Sequence, residues 1–71
     1  MTNNADVPAT RRPARPLILH TVQQVADTLQ VSDKQVRRWI TSGDLIAHRF
    51  GRQLRIADAD LRAFVARRRI V

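Results

Sequence analysis

Apolar positions recur at helical spacing in three stretches of the chain and alternate in a fourth. Val22, Val25, Ala26 and Leu29 fall at i, i+3, i+4 and i+7, which draws one stripe along a helix of about 9 residues ending near Gln30. Thr21 stands just before the stripe with Gln24 three residues on. That pair predicts a capping box, the threonine oxygen accepting an orphan amide while the glutamine reaches back. Ser32 and Gln35 repeat the signal almost at once, and Val36, Trp39 and Ile40 give the next stripe before Gly43 stops it. Two short helices joined this tightly must cross steeply. From Leu45 to Ile56 the helical period is lost: Phe50, Leu54 and Ile56 alternate with Arg49, Gln53 and Arg55 around Gly51 and Arg52. This predicts a short hairpin with apolar side chains on one face and arginines on the other face and at the tip. Asp58 and Asp60 then predict the capped start of a third helix, with Leu61, Phe64 and Val65 pointing inward and Arg67 to Arg69 at its negative end. The fold class expected is mainly α with a small β-hairpin.

A chain of 71 residues makes one small domain, because a chain of this size buries only about 60% of the surface it exposes when unfolded. An elaborate buried active site is not expected. Residues 1–16 contain all three prolines and the basic run Arg11, Arg12, Arg15 without periodic apolar positions, so they are expected to form a disordered basic tail before a domain over 17–70. The absence of cysteine excludes disulfides, thiolate metal sites and a cysteine nucleophile, and is compatible with a reducing compartment. No apolar run reaches the roughly 18 residues needed to span a bilayer, and Met1 to Asp6 lack the features of a signal peptide; a soluble, cytoplasmic protein is expected. Thirteen basic residues against six acidic ones give a net charge of +7, which favours a polyanionic partner, nucleic acid first. Twelve of the basic residues are arginine; bidentate recognition of phosphate and guanine and a GC-rich genome both account for that bias.

The second helix has two separable faces. Val36, Trp39 and Ile40 share one arc, and Lys34, Arg37, Arg38 and Thr41 cluster on the opposite side. Long basic and hydrogen-bonding side chains on a short, steeply crossed helix suit the major groove, which admits one helix and displays guanine acceptors. A basic helix face alone also reads as a solvated surface. The steep crossing, two helix N-termini able to meet phosphate and the basic hairpin downstream favour a recognition helix.

The stretches Leu19 to Ala26, Leu29 to Ser32, Val36 to Ile40, Ser42 to Leu45, Phe50 to Arg52, Leu54 to Ile56 and Asp60 to Phe64 resemble the excisionase-type winged helix-turn-helix domain, a fold shared with the DNA-binding head of MerR-like regulators. The resemblance covers residues 18–66 in order. It implies that Ala26 is the small residue where the two helices touch, that Val36 and Trp39 are packing positions, that Lys34, Gln35 and Arg38 face the bases, and that Gly51 and Arg52 form the wing tip. Gln30 departs from the family, which usually has glycine at this turn; a non-glycine residue in a left-handed conformation costs about 1 kcal/mol. MerR-like regulators continue into a dimerisation helix and effector domain, and the end of the sequence at Val71 makes an effector-sensing activator the less expected role. The resemblance implies a recombination directionality factor that binds beside an attachment site, bends the DNA and assists an integrase. The alternatives are a small transcriptional regulator with the same DNA contacts and a protein-interaction module whose basic face binds an acidic partner.

The expected DNA contacts are Ser32, Lys34, Gln35, Arg37, Arg38 and Thr41 on the recognition helix, Arg49, Arg52, Gln53 and Arg55 on the wing, and Thr21 at the backbone. Ser32 and Thr21 are helix caps whose hydroxyls are also placed to meet a phosphate. Trp39 shares the stripe of Val36 and Ile40 and reads as core. His20 and His48 are too isolated to hold a metal, although His48 beside Arg49 has the alternative of a phosphate contact. Asp33, Asp44, Asp58 and Asp60 fall at helix starts or a turn, where capping explains them without acid–base chemistry. No catalytic set, metal or cofactor is expected. Arg67 to Arg69 are left open between DNA, a partner and solvent. With no heptad pattern and few apolar residues to spare, the expectation is a monomer in solution that loads cooperatively on repeated sites in double-stranded DNA.

Overall fold

The computed structural model of the protein describes residues 17–70; the tail expected over 1–16 lies outside them. In chain order come β1 (Leu19–His20), α1 (Val22–Leu29), α2 (Asp33–Ser42), β2 (His48–Phe50), β3 (Gln53–Ala57) and α3 (Asp58–Arg67). The capping box at Thr21 is complete: Thr21 Oγ1 accepts from the Gln24 amide at 3.0 Å, and the Thr21 amide donates to Gln24 Oε1 at 2.9 Å. At the other end Gln30 takes the left-handed conformation, φ 59° and ψ 45°, and the Val31 amide closes the turn on the Ala26 carbonyl at 3.0 Å. The chain thus reverses into α2 within three residues. Ser32 caps that helix through the Gln35 amide at 3.0 Å, and Gly43 ends it at φ 85°. The box expected at Ser32 is only half formed, since no bond returns from the Gln35 side chain.

The sheet is antiparallel in the order β1–β3–β2. β1 was not expected. Its two residues pair Leu19 with Ala57 and His20 with Ile56, a strand too short to announce itself by alternation. The hairpin register corrects a second expectation. Phe50 stands opposite Gln53 and Arg49 opposite Leu54 across a two-residue loop, and opposed residues share a face. Phe50 therefore sits with Gln53 on the outer face and is 54% exposed, while Arg49 shares the face of Leu54 and Ile56. Gly51 at φ 63° supplies the positive φ that such a loop needs.

Val22, Val25, Ala26, Val36, Leu45, Ile56, Leu61 and Phe64 form the core, with Leu29, Val31, Trp39, Ile40, Ala47 and Leu54 packed around it. Each fully buried aliphatic side chain, such as Val25, Val36, Leu45 and Ile56, contributes about 1.5–3 kcal/mol through lost water contact. Helix α3 departs from expectation at two points. No side chain caps it, because its N-cap position is Ala57 and Asp58 and Asp60 lie in its first turn, where they still complement the positive end of the helix dipole. Val65 is 47% exposed rather than buried, since Leu61 and Phe64 already fill the narrow strip that α3 turns inward.

Candidate nucleic-acid interface

The first turn of α1, the outer face of α2 and the wing border one cleft of about 410 Å3. Of the expected contact residues it gathers Thr21, Arg37, Arg49, Arg52, Gln53 and Arg55. The register explains the presence of Arg49: placed on the Leu54 side of the hairpin, it overhangs the edge of the core towards the helices. Lys34, Arg38 and Thr41 lie outside this cleft. They border a shallow depression that continues along α2 and shares Arg37 with it. Ser32 and Gln35 belong to neither. Ser32 is exposed with its hydroxyl occupied by the cap, and Gln35 is half-buried. Arg55 is folded back, its Nη1 donating to the Leu54 carbonyl at 2.7 Å and to Gln53 Oε1 at 3.4 Å.

Val22 and Leu54 form its apolar floor, and Gln23 and Asp33, which the expected contacts do not include, complete the cleft. Gln23 lies two positions beyond the Thr21 cap, so its place in the first exposed turn was readable from the helix start. By sequence alone Asp33 is a capping group. It brings one negative charge to a mainly basic cleft, at the N-terminal end of α2 where the helix dipole favours it.

Charge is segregated around this face. Lys34, Arg37, Arg38, Arg49, Arg52 and Arg55 make no ion pair with a carboxylate among the described residues, whereas His20, His48, Arg62 and Arg68 are each paired with an aspartate; Arg67 and Arg69, at the end of α3, have no carboxylate partner there either. Asp58 takes His20 Nε2 at 2.8 Å and Arg62 Nε at 2.7 Å. Hydrogen bonding to His20 and then to Arg62 holds the Asp58 carboxyl below the usual carboxylate range. Asp60 lies 3.4 Å from His48 Nε2, which gives that histidine a protein partner. Asp44 lies 3.6 Å from Arg68, its carbonyl accepts from Arg67 Nη2 at 2.8 Å, and its carboxylate accepts from Ser42 Oγ at 2.9 Å. Arg67 and Arg68, left open by the sequence, thus tie the end of α3 to the turn after α2. Arg68 also lies over Phe64 at 4.3 Å and Trp39 at 5.4 Å from the ring centroids.

Trp39 is half-buried against Phe64, with ring centroids 4.8 Å apart, and packs on the core side of α2 as expected. Among the described residues no group of three His or carboxylate side chains is arranged to hold a metal ion, and no helix is long and apolar enough to cross a membrane. A helix-turn-helix with a basic outer helix face and an adjoining hairpin wing is an arrangement for gripping a duplex through phosphates and one groove. Comparison with known proteins gives no match among curated proteins or solved structures. Residues 21–69 match the family described as "Helix-turn-helix domain", a span that runs from the Thr21 cap to two residues past the end of α3. With three helices and a three-stranded sheet built as a winged helix-turn-helix, the chain belongs to this helix-turn-helix domain family, whose members bind DNA and are typically not enzymes.

Proposed function

We propose that the protein reads a specific duplex sequence with α2 in the major groove and the wing on the adjacent minor groove, and that it serves as a recombination directionality factor. In this reading Lys34, Gln35, Arg38 and Thr41 face base edges. Ser32, Thr21 and Arg37 meet phosphates, and Arg49, Arg52, Gln53 and Arg55 hold the backbone beside the wing. The observation that carries it is the gathering of charge: six cations without a carboxylate partner among the described residues border the two adjoining depressions along α2 and the wing. The narrower role rests on the resemblance of residues 18–66 to excisionase domains. It implies monomers that load side by side on repeated sites, bend the DNA and assist an integrase.

If Arg37, Arg49, Arg52 and Arg55, the cations assigned to the backbone, each neutralise one phosphate, log K against log salt has a slope of about −4. The test is selection of duplexes from a randomised pool at about 150 mM salt, followed by titration, footprinting and bend measurement on the selected sites. Enrichment of direct repeats, cooperative occupancy and accumulated bending support the excisionase reading. A salt-insensitive interaction or equal affinity for every duplex refutes DNA reading. A stable two-fold dimer on an unbent inverted repeat refutes the directionality role and favours a transcriptional regulator.

A further inference from the structure

We propose that the groove between the end of α1 and the C-terminal half of α3, on the side of the domain away from the basic face of α2, is a docking site for an acidic, apolar segment of a partner protein. Leu29, Val31, Trp39, Phe64 and Val65 line it together with Arg68 and Arg69, over a volume of about 410 Å3, and no carboxylate is among its lining residues. Leu29 and Val65 also join it to a second depression against Thr28, Leu61 and Ala66, bounded by His20, Arg62 and Asp58, whose carboxylate is paired with those two bases, so the apolar surface is elongated. Val65 is 47% exposed at a position where helical spacing calls for core, and Ile70, just beyond Arg69, is 95% exposed. Helix-in-groove recognition uses an elongated apolar trough of this kind.

The charge at the groove selects the occupant. Arg68 is held over the Phe64 and Trp39 rings, which fixes a cation beside the apolar floor, where it also pairs with the exposed Asp44 at 3.6 Å. Arg69 makes no ion pair among the described residues. Aromatic rings flanked by arginine are the composition enriched where protein partners bind most strongly, and the sign of the charge calls for Asp or Glu beside the partner's apolar residues. A second copy fits poorly, because each chain carries a net charge of +7 and like charges oppose association. On the α2 wheel Trp39 lies opposite Lys34, Arg37, Arg38 and Thr41, so the groove stays open while those residues engage a duplex. The inference goes beyond DNA binding and stands without it.

Trp39 is the only tryptophan, so its fluorescence reports on the groove. The full chain, free and in the presence of excess duplex DNA, is titrated with a helical peptide bearing leucines on one face and glutamates on the other. Lysine-for-glutamate and serine-for-leucine versions serve as controls, and amide shifts map the contact. Saturable change at Trp39 with the leucine–glutamate peptide alone, with shifts at Leu29, Val65 and Arg69, is the expected result. Val65→Ser, at an exposed site away from the DNA face, weakens it about fivefold and leaves thermal stability and duplex affinity unchanged. The proposal is overturned by shifts confined to Lys34, Arg37 and Arg38, by equal binding of the lysine peptide, by no saturation up to about 1 mM, or by self-association that quenches Trp39 without peptide. Docking in a chain that retains no duplex would refute the proposed function and leave this inference standing.

Discussion

Gln30 offers a direct test of the turn that sets α2 against α1. Its backbone is left-handed at φ 59°, where a side chain brings Cβ close to the following carbonyl at a cost of about 1–2 kcal/mol, and glycine avoids that cost. Two terms oppose the relief in Gln30→Gly. Glycine loses more conformational freedom on folding, about 0.4–1 kcal/mol. The exposed bond from Gln30 Nε2 to the Asp27 carbonyl at 2.9 Å also disappears, and an exposed bond of this kind contributes at most about 0.5 kcal/mol. The net gain against the natural chain is therefore small, about 0.5 kcal/mol. Alanine isolates the strain more cleanly, because Gln30→Ala loses the same side-chain bond but keeps Cβ. The glycine variant should exceed the alanine variant by about 1 kcal/mol, which in a domain of this size separates their Tm values by roughly 4–8 °C. Calorimetry of the two proteins in one buffer measures the difference. An alanine variant as stable as the glycine variant would show that the turn does not hold a left-handed residue in solution, and the geometry of the helix-turn-helix derived from it would fail.

Two further outcomes follow from the packing and the ion pairs. Asp58 has its folded pKa lowered by His20 and Arg62, so its stabilisation is complete above the unfolded carboxylate pKa of about 3.9 and is lost as pH falls through the lower folded value. Asp58→Asn should lower Tm near neutral pH and flatten its acid-side fall below about pH 4; parallel Tm profiles for the two proteins would show that the cluster contributes nothing. Trp39→Ala removes the ring that packs on Phe64 and lies under Arg68. It should cost about 3 kcal/mol in denaturant unfolding, and a loss under about 1 kcal/mol would place Trp39 outside the packed structure.

The parts of the fold that local chemistry determines were legible in the sequence. The Thr21 box, the Ser32 cap and the Gly43 stop each depend on residues within one turn, and the apolar stripes of α1 and α2 identified Val22, Val25, Ala26 and Val36 as core. What needed tertiary information was misplaced. The loop of the hairpin decides whether Phe50 or Arg49 shares the face of Leu54, and alternation read along the chain does not contain that pairing. Val65 follows the core spacing of α3 but stays half-exposed at the groove beside Leu29. The Asp58 cluster joins β1 to the start of α3 across 38 positions in sequence, so neither the pairing of His20 nor the strand beside it had a local signal. For the candidate interface, helical periodicity placed Lys34, Arg37, Arg38 and Thr41 on one face, and the four are exposed around one depression. The inclusion of Gln23 and Asp33, and the folding back of Arg55 on the Leu54 carbonyl, depend on how α1, α2 and the wing are juxtaposed.

The central claim is that α2 reads sequence while the wing supplies grip, and affinities of the natural chain, Arg38→Ala and Arg52→Ala for a selected duplex and for a scrambled one test it in a single experiment. Arg38→Ala should lose about 1–3 kcal/mol on the selected duplex and little on the scrambled one, so that discrimination narrows, whereas Arg52→Ala should weaken both duplexes by a similar factor. Uniform loss from both substitutions, with discrimination intact, would contradict the assignment of α2 as the reader.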